Sequence, residues 1–183
     1  MSQEADTFGP DPREAEMLLR NVAPTDIDAY VAMRCDPVMM AELGGPQPRE
    51  GIDPKVAKDV ADAEADVSWI KMIVLDETRP REVAGTVTLW RNHHGDDFFS
   101  EIGWMVLPGH QGRGIGKRAV AALLADARAD GRWGLVHAFP GVTNAPSNGI
   151  CRSLGFELLG VEEIEFAGRL FTSNHWVVDT GSG

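Results

Sequence analysis

The sequence predicts an α/β (α+β) fold in which a mixed, mostly antiparallel sheet of about seven strands is flanked by about four helices. Two helical stretches separate a first strand from the rest of the β-rich sequence. Residues 68–75 and 82–90 are β-rich runs joined by the breaker-rich DETRPR, which makes them antiparallel neighbours. Past mid-chain, a strand passes through a glycine-rich turn directly into the strongest amphipathic helical pattern in the chain. The full order is β-α-α-β-β-β-α-β-α-β-β, with no internal repeat.

MLLRNVAP, residues 17–24, is the first strand, ended by Pro24. The helix that follows, TDIDAYVAMRCD, has Thr25 or Asp26 as its N-cap and Ile27, Tyr30, Val31 and Arg34 at helical spacing. GGPQPREGIDP is a loop, and residues 54–66 form a second helix with Pro54 suited to its first turn. RNHHGDD, residues 91–97, reads as a turn between strand 82–90 and strand 98–108, the latter closed by Pro108 and Gly109. In the third helix Ile115, Ala119, Val120, Leu123, Leu124 and Ala127 make one apolar stripe. Lys117, Arg118, Asp126 and Arg128 lie off that stripe, and Gly131 ends the helix. Residues 133–140 form a strand, NAPSNGICRSLGF a short helix stopped by Gly155, and residues 157–179 the last two strands.

A chain of 183 residues suits one domain with a tail. Residues 1–15 are acidic and lack the apolar segment of a secretory signal, so they are expected to lie as a disordered tail outside a domain spanning 16–183. Apolar residues make up 43%, enough for a core, and no run of 18 exists to span a membrane. The net charge of -11 disfavours nucleic acid, whose phosphates require Lys and Arg, and tilts toward a cationic acceptor. Cys35 and Cys151 form no CxxC pair, which fits a reduced, cytoplasmic setting. His93 and His94, followed by Asp96 and Asp97, invite a metal reading. Adjacent strand residues point to opposite faces, so a polar hairpin loop is the better reading and no metal is expected. Trp69, Trp90, Trp104, Trp133 and Trp176 fall in or beside strands; core packing is their default, with Trp90 or Trp104 lining a pocket as the alternative.

The stretch VLPGHQGRGIGKRAV places Gly112, Gly114 and Gly116 at alternate positions just before a helix, among His110, Arg113, Lys117 and Arg118. The first N–H groups of a helix have no partner within it, and the macrodipole adds positive potential there. Glycines allow φ > 0 and close approach of a phosphate to the backbone. The turn therefore suits a phosphate or diphosphate cradle; a glycine turn that only packs helix on strand is the competing reading. A Walker loop does not fit, because Gln111 stands five residues before Gly116 and Arg118 follows Lys117. Residues 114–119 satisfy GxGxxA, but a dinucleotide fold needs that motif after its first strand with an acidic residue ending the next one, and here the next strand ends in HAFPG.

QGRGIG matches the Q/R-x-x-G-x-G/A loop of the GNAT N-acetyltransferase superfamily through Gln111, Gly114 and Gly116. EIGWMVLPGH resembles that superfamily's fourth strand and its exit, and Asn144, Ser147, Gly155 and Phe156 resemble its N-x-x-S-(x)7-G-F segment. The element order agrees over about residues 17–178, and the EIGW…P style looks most like the branch containing ribosomal-protein N-terminal acetyltransferases. The resemblance implies acetyl-CoA as cosubstrate and a small-molecule amine or peptide N-terminus as acceptor, joined by direct attack of the amine on the thioester. It implies that residues 111–117 (Gln111, Gly112, Arg113, Gly114, Ile115, Gly116, Lys117) hold the diphosphate, and that main-chain groups of Trp104, Met105 and Val106 align the pantetheine. Asn144 and Ser147 are further expected contacts, with a helix-start role open for Asn144. The Val106 N–H is the candidate oxyanion donor. Homodimers are common in such domains.

The amine must lose a proton before attack. Glu101 is the first candidate base, sharing a strand face with Gly103 and Met105; a solvent-facing or ion-paired carboxylate is the competing reading, and Asp97 and His175 are weaker alternatives. Many relatives place a Tyr four residues after the Ser of the downstream helix. Cys151 stands there, so it either protonates the leaving thiolate or is a small buried residue. The missing Tyr also sustains an alternative in which the chain binds acyl-CoA as a catalytically weak sensor or interaction module.

Overall fold

The computed structural model describes residues 17–94, 97–166 and 169–181. Its strands are β1 (Leu18–Asn21), β2 (Trp69–Val74), β3 (Val83–His94), β4 (Asp97–Val106), β5 (Leu135–Ala138), β6 (Glu157–Phe166) and β7 (Arg169–Asp179). They form a seven-stranded sheet in the order β1-β2-β3-β4-β5-β7-β6. Every neighbouring pair is antiparallel except β4 and β5. That exception follows from the connection: a parallel return needs a crossover, and helix α3 (Ile115–Asp130) supplies it. The remaining helices are α1 (Ile27–Arg34), α2 (Ile52–Glu64) and α4 (Ala145–Ser153).

Strand alternation divides the core between the two faces of the sheet. On one face Ile102, Val136, Ala138, Trp176 and Val178 pack with Ile115, Ala119, Val120, Leu123, Leu124 and Ala127 of α3 and with Cys151 of α4. The apolar stripe of α3 is the stripe predicted. Leu123 and Leu124 are fully buried, which at about 2 kcal/mol each is enough to fix which face of the helix meets the sheet. On the other face Met72, Val83 and Met105 pack with Tyr30 and Met33 of α1 and Ile52 and Val56 of α2. Tyr30 donates its hydroxyl to Asp59 (2.7 Å), which also accepts from Lys55 (2.5 Å), so the polar groups between α1 and α2 are paired.

The structure moves several predicted boundaries. β3 continues to His94 and β4 begins at Asp97, so most of the expected turn at 91–97 is hairpin ladder; cross-strand pairing overrides the weak strand preference of Asn92 and its neighbours. α2 begins at Ile52, two residues early, with Pro54 inside its first turn. Asp26 stands at the α1 N-cap but does not cap it. Its buried carboxylate accepts from the Ala23 N–H (2.8 Å) and is clamped by Arg20 at 2.8 and 2.6 Å. The strand expected at 133–140 contracts to Leu135–Ala138, because Gly134 takes φ 60° and the chain turns there. The tail at 1–15, Asp96, and the side chains of His93, His94 and Asp97 lie outside what is described, and with them the base alternative placed on Asp97.

Candidate active site

The centre of the sheet carries a gap. β4 and β5 are in register only at Ser100↔Val136 and Glu101↔His137, and beyond that pair they part. The Leu107 N–H donates to the Ala84 carbonyl (2.9 Å), which fixes the alternation along β4. Residues 101, 103, 105 and 107 turn their main-chain groups toward β3, and Trp104 and Val106 turn theirs toward the gap. This corrects one expectation: Met105 pairs with Thr86 and buries its side chain, so its backbone is not offered to a ligand. Gln111 folds back and donates Nε2–H to the Val106 carbonyl (2.8 Å), leaving the Val106 N–H pointing at the gap. β3 lies very close at this level: a Cβ on Gly85 would sit 2.2 Å from the Met105 carbonyl oxygen, so only glycine fits.

Beyond β4, Pro108–His110 makes a single 3₁₀ turn into the glycine loop. Gly112 and Gly114 take φ 71° and 73°, the left-handed region, and Gly114 is the residue on which α3 begins. The first intrahelical bond is Arg118 N–H to Gly114 C=O (3.0 Å), so the amides of Ile115, Gly116 and Lys117 have no partner in the helix. The space beside Gly112 and Gly114 is open, and Arg113 and Lys117 are exposed next to it. Ile115 and Gly116 are buried, so their contribution is main-chain only. A Cβ on Gly116 would meet Ile150 (3.2 Å) and Val106 (3.3 Å), which ties the loop to β4 and α4.

Glu101 stands at the last paired position before the gap opens, on the α1/α2 face, half-buried. Burial pushes its carboxyl up to about 7, and a hydrogen bond from Asn92 Nδ2 to Oε2 (2.6 Å) pulls the other way. The indole of Trp90 lies over Gly103, 3.3 Å from where a Cβ would stand, on the same face. Trp104 points to the opposite face and packs on the core, so Trp90 alone of the two tryptophans borders Glu101. Asn92 was missed because the expected turn hid its strand position.

On α4, Cys151 takes the second of its two expected roles: its side chain is fully buried in the core, and burial raises the thiol to about 12. Asn144 caps α4, its side chain accepting the Ser147 N–H (3.1 Å), and Ser147 is half-buried beside it. Asn148, which no motif singled out, is the hub of this region. It donates to the Gly141 and Asn144 carbonyls (2.9 and 2.8 Å) and accepts from Asn174 and the Trp176 indole (both 2.8 Å). On the α1/α2 side, the α1–α2 loop reaches both lips of the gap. Met39 Sδ lies 3.8 Å from Gln111 Nε2, and Glu42 accepts from Thr143 Oγ1 (2.8 Å). Among the described residues no cluster of three metal-ligating side chains occurs, and no helix is long and apolar enough to cross a membrane.

A sheet split between its parallel strands, with a glycine turn and free helix amides at one end of the split and a carboxyl at its apex, defines an acyltransferase of the GNAT fold. The family model described as acetyltransferase (GNAT) domain matches residues 16–157, and the chain belongs to that family. Among solved structures, a GNAT-family acetyltransferase from Bacillus anthracis matches with TM-score 0.74 and 18% identity over 91% of this chain and 97% of its own. The microcin C7 self-immunity acetyltransferase MccE, in complex with acetyl-CoA and AMP, matches with TM-score 0.74 and 18% identity over 91% and 94%. The ribosomal L7/L12 α-N-protein acetyltransferase RimL, in complex with coenzyme A, matches with TM-score 0.73 and 16% identity over 89% and 93%. A search of curated proteins finds no match.

Proposed function

We propose that the protein transfers the acetyl group of acetyl-CoA to a primary amine that arrives as a cation. The observation that carries this reading is the apex of the gap: a carboxyl near pKa 7, in register with the point where β4 loses its neighbour, within one strand of an unpaired backbone edge. Acetyl-CoA supplies the thioester. The amides of residues 112 and 114–117 suit its diphosphate, Lys117 and Arg113 add charge, and the main-chain groups of Trp104 on the bare flank of β4, with the Val106 N–H beyond them, suit its pantetheine arm.

Glu101 removes the ammonium proton, which at a pKa near 7 it can accept and release around neutrality. The freed lone pair attacks the thioester carbonyl, the C–S bond breaks, and the thiolate leaves. The Val106 N–H, turned away from β3 into the gap, supports a role as the oxyanion donor. Most of the rate gain comes from holding the two reactants in line. The acceptor-side mouth carries Glu42, Glu101 and Glu162, which favours a cationic amine, whether a small molecule or a peptide N-terminus. The likeness to RimL extends to fold, and the ribosomal-protein branch is the first place to seek the acceptor.

The test is thiol release from acetyl-CoA over a panel of polyamines, amino acids and peptide N-termini. Release above background hydrolysis with one class, lost in Glu101→Gln, supports the reading. No release with any of them favours the second reading, a non-catalytic acyl-CoA sensor, to which the burial of Cys151 lends support.

A further inference from the structure

Beside Glu101 on the same sheet face runs a chain of three titratable side chains that the acyl-transfer chemistry above does not use. His137 Nδ1 lies 2.7 Å from His175 Nε2, and His175 Nδ1 lies 2.6 Å from Glu162 Oε1. With Glu162 ionised and both rings neutral, one arrangement of protons satisfies both contacts. His175 donates Nδ1–H to the carboxylate, its Nε2 accepts from His137 Nδ1–H, and His137 Nε2 is left without a proton. His137 is the register partner of Glu101 in the parallel pair, so the two side chains leave the same face of adjacent strands, about 4.8 Å apart at their backbones. At the far end Glu162 is 48% exposed, whereas His175 is only 12% exposed, so the chain runs from the gap to water. Aromatic rings sheathe it: Phe99 lies 5.1 Å from the His137 ring and Phe139 4.5 Å from that of His175.

We propose that Glu162, His175 and His137 form a proton conduit that drains Glu101 after it deprotonates the acceptor amine. This rests on the acyl-transfer reading above. The Glu101 carboxyl is held by Asn92 on the β3 side (2.6 Å), so its proton passes to His137 Nε2 by way of a water in the gap. The Nδ1 proton of His137 passes to His175 Nε2, and the Nδ1 proton of His175 passes to Glu162, which releases it to water. Three bonds to hydrogen break within the protein and three form. Reversal of the same hops restores the starting tautomers and returns a proton to Glu101, which passes it to the departing thiolate and so gives α4's missing acid a substitute. The described titratable groups on this face near His137 are Glu101 on β4, His175 on β7 and Glu162 on β6. Burial and the neighbouring His175 lower the His137 pKa, and Glu162 raises it. Glu101 is the catalytic residue here; His137, His175 and Glu162 act through it.

The experiment uses the full chain in two arms. Nitrogen-15 spectra of the histidine rings at pH 8 report the tautomers directly; both rings protonated at Nδ1 are expected, and an Nε2-protonated His137 overturns the conduit. In the second arm kcat/KM is followed from pH 5.5 to 9 for the wild type, His137→Gln, His175→Gln and Glu162→Gln, with acetyl-CoA affinity measured by calorimetry for each. The expected result is unchanged acetyl-CoA affinity, a loss of about tenfold to a hundredfold in each of the three variants, and in Glu162→Gln also an acid limb moved to lower pH, because the carboxylate that raises His137 is gone. Glu162→Gln, altered at an exposed position, keeps the test decisive should a histidine variant fail to fold. Variants whose pH profiles match the wild type overturn the conduit alone. A wild type that binds acetyl-CoA and turns over no amine overturns the acyl-transfer reading and the conduit with it.

Discussion

Replacing Glu101 with Gln should make the protein more stable and less active, with both effects growing through one pH window. The fold raises the Glu101 carboxyl from 4.5 to about 7 because burial penalises its charged form. The sign follows from which state holds the proton. Between those two values the folded chain keeps a proton that the unfolded chain has lost, so the stability contribution is complete below 4.5 and is lost as pH rises through 7. A difference of about 2.5 units at 1.36 kcal/mol each gives a loss of at most about 3 kcal/mol by pH 8. Glu101→Gln removes the titration and preserves the shape, and its amide still accepts from Asn92. All other carboxylates are common to both proteins and cancel in the difference. Urea unfolding at pH 4.5, 6, 7 and 8 measures it: the variant should gain on the wild type steadily, reaching about 2–3 kcal/mol, or roughly 4–12 °C in Tm for a chain of this size. Over the same range wild-type kcat/KM should rise about tenfold per pH unit below 7, and the variant should lose that limb together with about a hundredfold in rate. Parallel stability curves for the two proteins between pH 4.5 and 8 would refute the claim that burial holds this carboxyl in its neutral form.

Other outcomes follow from the same geometry. Gly114→Ala forces a side chain onto φ 73°, at a backbone cost of about 1–2 kcal/mol, and should weaken acetyl-CoA binding about tenfold by calorimetry while leaving the fold intact. Gly85→Ala puts a Cβ 2.2 Å from the Met105 carbonyl; β4 must shift from β3, and thermal unfolding should show a loss of about 3 kcal/mol together with weakened acetyl-CoA binding. Cys151→Ala should keep the wild-type pH profile and lose about 1 kcal/mol of stability to a small cavity; a changed profile would return the thiol to the chemistry.

The sequence made the fold legible because each element carries its own local signal. The α3 stripe, the breakers at 44–54 and the glycines at 112 and 114 act over a few residues; the structure places the stripe and the glycine turn where expected, while the loop yields residues 52–54 to α2. The shape of the glycine turn was legible for the same reason: it depends on φ, which glycine spacing reveals. The acceptor side was not. Asn92 meets Glu101, and His137 meets His175 and Glu162, through pairing registers that no periodicity encodes. Asn148 likewise earns its importance from four partners in distant segments. At Cys151 the motif position left two readings open, an acid or a small buried residue, and only packing by residues from α3 and the sheet, which no local signal carries, bears on the choice.

The parting of β4 from β5 has a consequence for how this sheet breathes. A strand with one flank bonded and one bare should exchange its amide hydrogens in a one-in-two rhythm, slow at Gly103 and Met105 and fast at Trp104 and Val106. A ligand that lies along the bare flank would silence the fast sites alone, so that deuterium uptake at two alternate residues would register occupancy of the seam without any assay of turnover.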